Sequence, residues 1–204
     1  MDSATEQDPY NLLTPEYGRS DFNQTHLLRV NGVWDLPQFE KLGFLRYGLG
    51  GWEIAGLVNY SSGTPFSVTT GSAAPWLGAG RDIGALRLNK VHAPCAGCGS
   101  RTSWARTGYF DQTAFVTTPT GTFGNSGRNS LVGPSYFDAD MSLVKNFPLL
   151  KTEGSHVQLR ADFFNVFNNV QFNNPTVSNS SAVFGRVTSA GAARQIQLAL
   201  RLSF

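Results

Sequence analysis

Arg194-Gln195-Ile196-Gln197-Leu198-Ala199-Leu200-Arg201-Leu202-Ser203-Phe204 is the stretch whose reading decides the fold. Ile196, Leu198, Leu200, Leu202 and Phe204 are apolar, while Gln195, Gln197, Ala199, Arg201 and Ser203 are polar or small. Strict alternation is the pattern of a β-strand with two different faces. At roughly 3.3 Å per residue, about ten such residues cross a bilayer when tilted.

Four earlier segments follow the same rule. Leu28, Val30, Gly32, Trp34 and Leu36 share one face of 28–36, with Arg29, Asn31 and Asp35 on the other. In 52–60, Trp52, Ile54, Gly56, Val58 and Tyr60 oppose Glu53 and Asn59. Segment 137–143 sets Phe137, Ala139, Met141 and Leu143 against Asp138, Asp140 and Ser142. Segment 157–163 sets Val157, Leu159, Ala161 and Phe163 against Gln158, Arg160 and Asp162. Trp34, Trp52, Tyr60, Phe137 and Phe204 fall near segment ends, where the aromatic girdles of a membrane barrel lie.

A soluble β-sandwich also alternates, so the connections must discriminate. They are short at 37–51 and 148–154, and long at 69–134 and 168–193. Outer-membrane barrels alternate tight periplasmic turns with long outer loops in this way. Counting back from a periplasmic C-terminus puts the short links inside and the long ones outside. A hairpin hidden in 69–134 would keep that parity, so the expected count is five to seven strands. Irregular links of that length count against a compact soluble domain.

Composition agrees. Charged residues make up 15 % of the 204, and Gly 22 and Phe 15 are generous. Soluble domains carry roughly 25 % charged residues. The net charge of +2, with no basic cluster interleaved with aromatics, argues against a nucleic-acid partner. No apolar run is long enough for a transmembrane helix, which leaves barrels open. Residues 1–8 have neither a basic n-region nor an apolar h-region, so they are no signal peptide. Since an outer-membrane protein must be exported, the chain is expected to be part of a longer exported protein.

Other features resemble a known family. Gly121-Thr122-Phe123-Gly124-Asn125-Ser126-Gly127-Arg128-Asn129-Ser130-Leu131-Val132-Gly133-Pro134 leads into Phe137-Asp138-Ala139-Asp140-Met141-Ser142-Leu143-Val144-Lys145-Asn146-Phe147. This resembles the loop and strand near the end of Oar-like TonB-dependent receptors. Leu159-Arg160-Ala161-Asp162-Phe163-Phe164-Asn165-Val166-Phe167-Asn168 is similar to the penultimate-strand motif of TonB-dependent receptors in general. Phe172-Asn173-Asn174-Pro175 and Phe184-Gly185-Arg186-Val187 follow in the order of that family.

The resemblance implies a barrel of about 22 strands around an N-terminal plug, importing a scarce ligand with energy relayed by TonB. On that pattern, residues 1–204 are the C-terminal part of the barrel, and the plug and N-terminal strands are absent. Eight strands is about the smallest closed membrane barrel. An open sheet of five to seven leaves edges that hydrocarbon cannot satisfy. The expected partners are therefore outer-membrane lipid, the missing strands and plug, TonB through that plug, and an unidentified small ligand or glycan. Arg29, Glu53, Asp138, Asp140, Arg160, Asp162 and Arg201 are expected to face the lumen. The 69–134 loop is expected to meet the ligand. Ile196, Leu198, Leu200, Leu202 and Phe204 read as the signal recognised by the barrel-assembly machinery through strand addition; the bland alternative is an ordinary edge strand.

Chemistry-bearing candidates are few. His92-Ala93-Pro94-Cys95-Ala96-Gly97-Cys98-Gly99 reads as a small disulfide in an exposed loop of an oxidising compartment. A redox pair would want a helix N-terminus, and zinc would want a fourth ligand. Asp138 and Asp140 lie two apart on one strand face, near glycosidase carboxylate spacing, but solvated strand faces often carry such pairs. His26, His92 and His156 are scattered, and Gly48-Leu49-Gly50-Gly51 precedes a strand rather than a helix. No enzyme and no cofactor is expected. Two other readings stay open: a secreted β-sandwich binding glycans through Trp76, Trp104 and Tyr109, and a small hydrolase built on Asp138 and Asp140.

Overall fold

The computed structural model describes residues 7–8, 11, 16–45, 48, 50–71, 85–149 and 155–204. Its strands, in chain order, are β1 (Leu27–Asp35), β2 (Trp52–Ser61), β3 (Pro65–Phe66), β4 (Asn89–Lys90), β5 (Phe115–Val116), β6 (Leu131–Val132), β7 (Tyr136–Pro148), β8 (His156–Phe164) and β9 (Gln195–Ser203). They fall into two compact units.

One unit comprises Leu27–Tyr60, Phe137–Gln171 and Ala192–Phe204. It carries a five-stranded sheet in the order β1-β2-β7-β8-β9, so each strand lies beside the next one of the sheet along the chain. β7 pairs antiparallel with β8, and β8 with β9. Leu36 N donates to Trp52 O at 2.8 Å, and Ser62 N donates to His26 O at 2.9 Å. Both bonds fit one register, in which Val30 lies opposite Val58 and Trp34 opposite Ile54. Among the described residues the sheet is open, with β1 and β9 as its outer strands.

All five alternating segments are strands of this sheet. The third runs further than 137–143, to Pro148. Lys145 hides the extension, because it puts a charge where the alternation demands an apolar residue. The 37–51 link contains a short 3-10 helix, Glu40–Leu45, broken at Gly43 with φ 57°. Most of the 148–154 link lies outside the described residues.

The other unit comprises Met1–His26, Ser61–Tyr136 and Phe172–Gly191. It has little regular structure: β3 pairs with β6 and β4 with β5, two residues each. Its core is aromatic, with Phe66, Val68, Leu88, Trp104, Tyr109, Phe110, Phe115, Leu131 and Val187 buried, and Phe172, Val177 and Phe184 packed against them. Phe110 meets the edges of Phe115 and Phe184 at 5.6 and 5.4 Å, and Trp104 meets those of Tyr109 and Phe172 at 4.8 and 5.5 Å. Each such side chain contributes about 1.5–3 kcal/mol by leaving water. That is ample to order loops whose backbones pair so little.

The long 69–134 link is thus largely folded within its described part, although it carries no strong periodic signal. Two-residue strands are too short to show a period. No further hairpin of it joins the five-stranded sheet among the described residues.

Candidate lumen wall and membrane-facing surface

Register decides which side chains share a face. Ser142 lies opposite Asp162 and Asp162 opposite Gln197; Val144 faces Arg160 and Arg160 faces Ala199; Asn146 faces Gln158 and Gln158 faces Arg201. Directly opposed residues project to the same side. Arg160, Asp162 and Arg201 therefore share one face, and period-two alternation along β7 adds Asp138 and Asp140. The Lys145 ammonium stands 5.3 Å from the centroid of the Trp52 ring, so Trp52 shares the face of Lys145. Glu53 then belongs to the other face, and the β1–β2 register adds Arg29. All seven residues expected to face a lumen lie on one side of the sheet.

Several of them are hydrogen-bonded to one another or to their neighbours. Arg160 Nε donates to both Asp162 oxygens at 3.0 and 2.8 Å, and Ser142 Oγ donates to the same carboxylate. Gln158 Nε2 donates to Asn146 Oδ1 at 3.1 Å. Asp140 Oδ1 accepts the backbone N–H of Asn165 at 2.9 Å, so half of the suggested carboxylate pair ends a strand. Among the described residues no cluster of His, Cys, Asp and Glu could hold a metal ion.

The opposite face is oily. Across three strands it reads Met141, Phe163, Ile196; then Leu143, Ala161, Leu198; then Lys145, Leu159, Leu200; then Phe147, Val157, Leu202. Leu198 and Leu200 are 72 % and 73 % exposed, so the sheet leaves its apolar side bare. Rings mark both ends of β7: Phe137 lies 6.2 Å from Phe167 at one end, and Phe147 and Trp52 flank Lys145 at the other. From Phe137 to Phe147 the strand rises about 34 Å at ~3.4 Å per residue. Tilted by about 45°, it spans ~24 Å, matching the ~25 Å apolar band of a membrane barrel.

Lys145 is the exception on this face, and alternation alone missed it. A lysine at mid-bilayer on a barrel exterior costs about 2–4 kcal/mol, falling to about 0–1 near the interface. Lys145 is close to the strand end, and its Nζ donates to Gly48 O at 3.0 Å and Gly50 O at 2.7 Å. It is buried, at 4 % exposure, so carbonyls and ring faces replace its water.

An asparagine-rich knot closes the other end, within the quoted penultimate-strand motif. Asn165 and Asn168 adopt the left-handed backbone, φ 53° and 52°, which asparagine tolerates better than most residues. Asn165 Nδ2 donates to Asn169 O at 2.9 Å, and its Oδ1 accepts Asn169 N at 2.8 Å. Asn169 Nδ2 donates to Phe137 O at 3.0 Å, and Gln171 Oε1 accepts Phe137 N at 3.1 Å. Arg194 N donates to Asn168 Oδ1 at 3.2 Å. One motif thereby ties β7, β8 and β9. The Asn run was visible in the sequence, but its bonding was not.

In the aromatic-cored unit, the Gly121–Ser130 motif is likewise architectural. A Cβ on Gly124 would collide with Arg87 O, so only glycine fits that approach. Buried Asn129 donates from Nδ2 to Arg19 O at 2.7 Å and to Asp21 Oδ1 at 2.6 Å. Cys95 and Cys98 are joined by a disulfide in an exposed loop. Asp111 caps the 3-10 turn Gln112–Ala114, accepting Thr113 N at 2.9 Å and Thr113 Oγ1 at 2.7 Å; those bonds hold its carboxyl below the usual value. Trp104 and Tyr109 are 8 % and 5 % exposed, which corrects their reading as a glycan platform: their ring faces are spent on the core. Trp76 lies outside the described residues.

Antiparallel strands of membrane-crossing span, oily on one side and polar on the other between aromatic ends, define a membrane β-barrel wall. A family model described as an outer membrane beta barrel domain matches residues 1–197. The chain belongs to that family, and its place is the bacterial outer membrane. No curated protein and no solved structure matches it.

Proposed function

We propose that the chain forms part of the wall and outer loops of a TonB-dependent receptor that takes up a small ligand or glycan through the outer membrane. The observation that carries this reading is the single polar face shared by Arg29, Glu53, Asp138, Asp140, Arg160, Asp162 and Arg201. A face carrying seven charges suits the polar interior of a membrane barrel, and a hydrated lumen that seats a plug is one such interior. The unpaired outer strands β1 and β9 would be satisfied by further strands of the same barrel, because hydrocarbon offers no hydrogen bonds. The role is binding and passage rather than catalysis. Phe204, fully exposed beyond β9, would present that strand to the barrel-assembly machinery, so Phe204→Ala should slow assembly by that machinery.

The test is direct. The native product is extracted from outer membranes with detergent, its mass is measured, and it is passed over an immobilised TonB C-terminal domain. Retention of a species much larger than 22.1 kDa supports the reading. A folded product of 22.1 kDa that TonB does not retain overturns it.

A further inference from the structure

We propose that the described residues of the 37–51 link form a lipid-facing clasp. It is held against the oily side of the sheet by Lys145 and seated at the acyl–headgroup boundary of the phospholipid leaflet on the short-turn side. Lys41 supplies a cation to lipid phosphate.

Three observations within the sheet unit lead there. The first is direction. Lys145 lies in line with Leu159 and Leu200 on the oily face, yet its ammonium holds Gly48 O and Gly50 O. The link therefore reaches the outer side of the wall. Trp52 fixes the same point from β2, its Nε1 donating to Gly48 O at 2.9 Å.

The second is closure. Gly51 N donates to Pro37 O at 3.4 Å, and Gly51, in the left-handed backbone at φ 68°, lies against the Gln38 amide. The base of the link is thereby pinched shut, and Phe39, Lys41 and Phe44 belong to the lobe beyond that pinch.

The third is what the lobe exposes. Phe44 is 82 % and Phe39 40 % exposed, and Lys41 is exposed beside them. Bare phenylalanines with a cation are the composition of an element lying in a membrane interface. The lobe is continuous with the face that Leu198, Leu200 and Leu202 present to acyl chains, and it starts at the aromatic level of Trp52 and Phe147. A phospholipid leaflet covers such a lobe with no further protein.

The full-length product carrying Phe44→Cys, spin-labelled there while the native cysteines stay paired, is reconstituted in phosphatidylcholine vesicles containing phosphatidylglycerol. Collision rates with oxygen and with a water-soluble nickel chelate are compared. Oxygen collisions several-fold above those of the chelate place the lobe in lipid, as expected. Dominant chelate collisions, meaning water, or suppression of both, meaning a protein cover, each overturn the proposal. Lys145→Met should swing the label toward the chelate, and an unmoved label overturns the clasp. Lys41→Glu should draw it the same way, and no change overturns the phosphate contact.

Discussion

Arg87 and Glu16 form a two-pronged ion pair inside the aromatic-cored unit, with Nη1 and Nη2 at 3.0 and 2.8 Å from the two carboxylate oxygens. Their side chains are 4 % and 6 % exposed. Gln7 completes the arrangement: its Oε1 accepts Arg87 N at 3.0 Å, and its Nε2 donates to Gly124 O at 2.8 Å. The segment before β1 is thereby tied to the loop between β2 and β7. Removing one partner strands a buried charge, so Arg87→Met should destabilise this unit by about 3–5 kcal/mol. Arg87→Met combined with Glu16→Leu should cost clearly less than Arg87→Met alone, because the double variant leaves no charge behind. Urea unfolding followed by amide exchange at Leu88 and Trp104 measures both. Equal losses in the two variants would contradict the account.

Asn165 makes a prediction about the sheet. Its left-handed backbone costs an ordinary L-residue about 1–2 kcal/mol, and its amide serves Asn169 from both ends. Asn165→Ala should therefore cost about 2–3 kcal/mol, combining backbone strain with a net hydrogen-bond loss of about 1 kcal/mol. Asn165→Gly should recover the backbone part only. Amide exchange at Val166 and Asn169 reports the difference, and identical rates in the two variants would refute the split.

For Lys145, loss of the ammonium leaves Gly48 O and Gly50 O facing ring surface without that donor. Lys145→Met should lower stability in detergent by about 1–3 kcal/mol, the cost of a buried acceptor left unsatisfied. The emission of Trp52 should shift as the cation leaves its ring. A variant with unchanged melting temperature and unchanged emission would show the contact to be idle.

How much of this was legible beforehand differs between the two units, for a physical reason. A strand with one oily face writes its geometry into every second residue, so Ile196 to Leu202 announce both element and orientation. The same rule puts the seven polar residues on one side of the sheet. Lys145 was illegible because its partners are the carbonyls of Gly48 and Gly50, far away in sequence, and no side-chain pattern marks a carbonyl. The aromatic-cored unit was illegible for a deeper reason. Phe66, Trp104, Tyr109, Phe110 and Phe172 meet through loops with no period, and scattered aromatics look the same whether they pack together or wait for a sugar. Trp104 and Tyr109 were open to that misreading, and only burial resolves it.

That unit should also respond to pH at both extremes, through different residues. Burial raises the Tyr109 hydroxyl above its ordinary 10.0, and the group donates to Val132 O at 3.0 Å. The unfolded chain therefore loses this proton first. The stabilisation is complete below pH 10 and drains away as pH rises through the raised value. Asp111 works in the opposite sense. The hydrogen bonds from Thr113 hold its carboxyl below 3.8, so its contribution is complete above that value and is lost as pH falls beneath it. The near-ultraviolet circular dichroism of the aromatic core, followed against urea at a series of pH values, separates the two limbs. Tyr109→Phe should flatten the alkaline limb and leave the acid one, while Asp111→Asn should do the reverse. A single variant that removed both limbs would mean that the unit titrates as one coupled system, and the assignment of each limb to its own residue would fall.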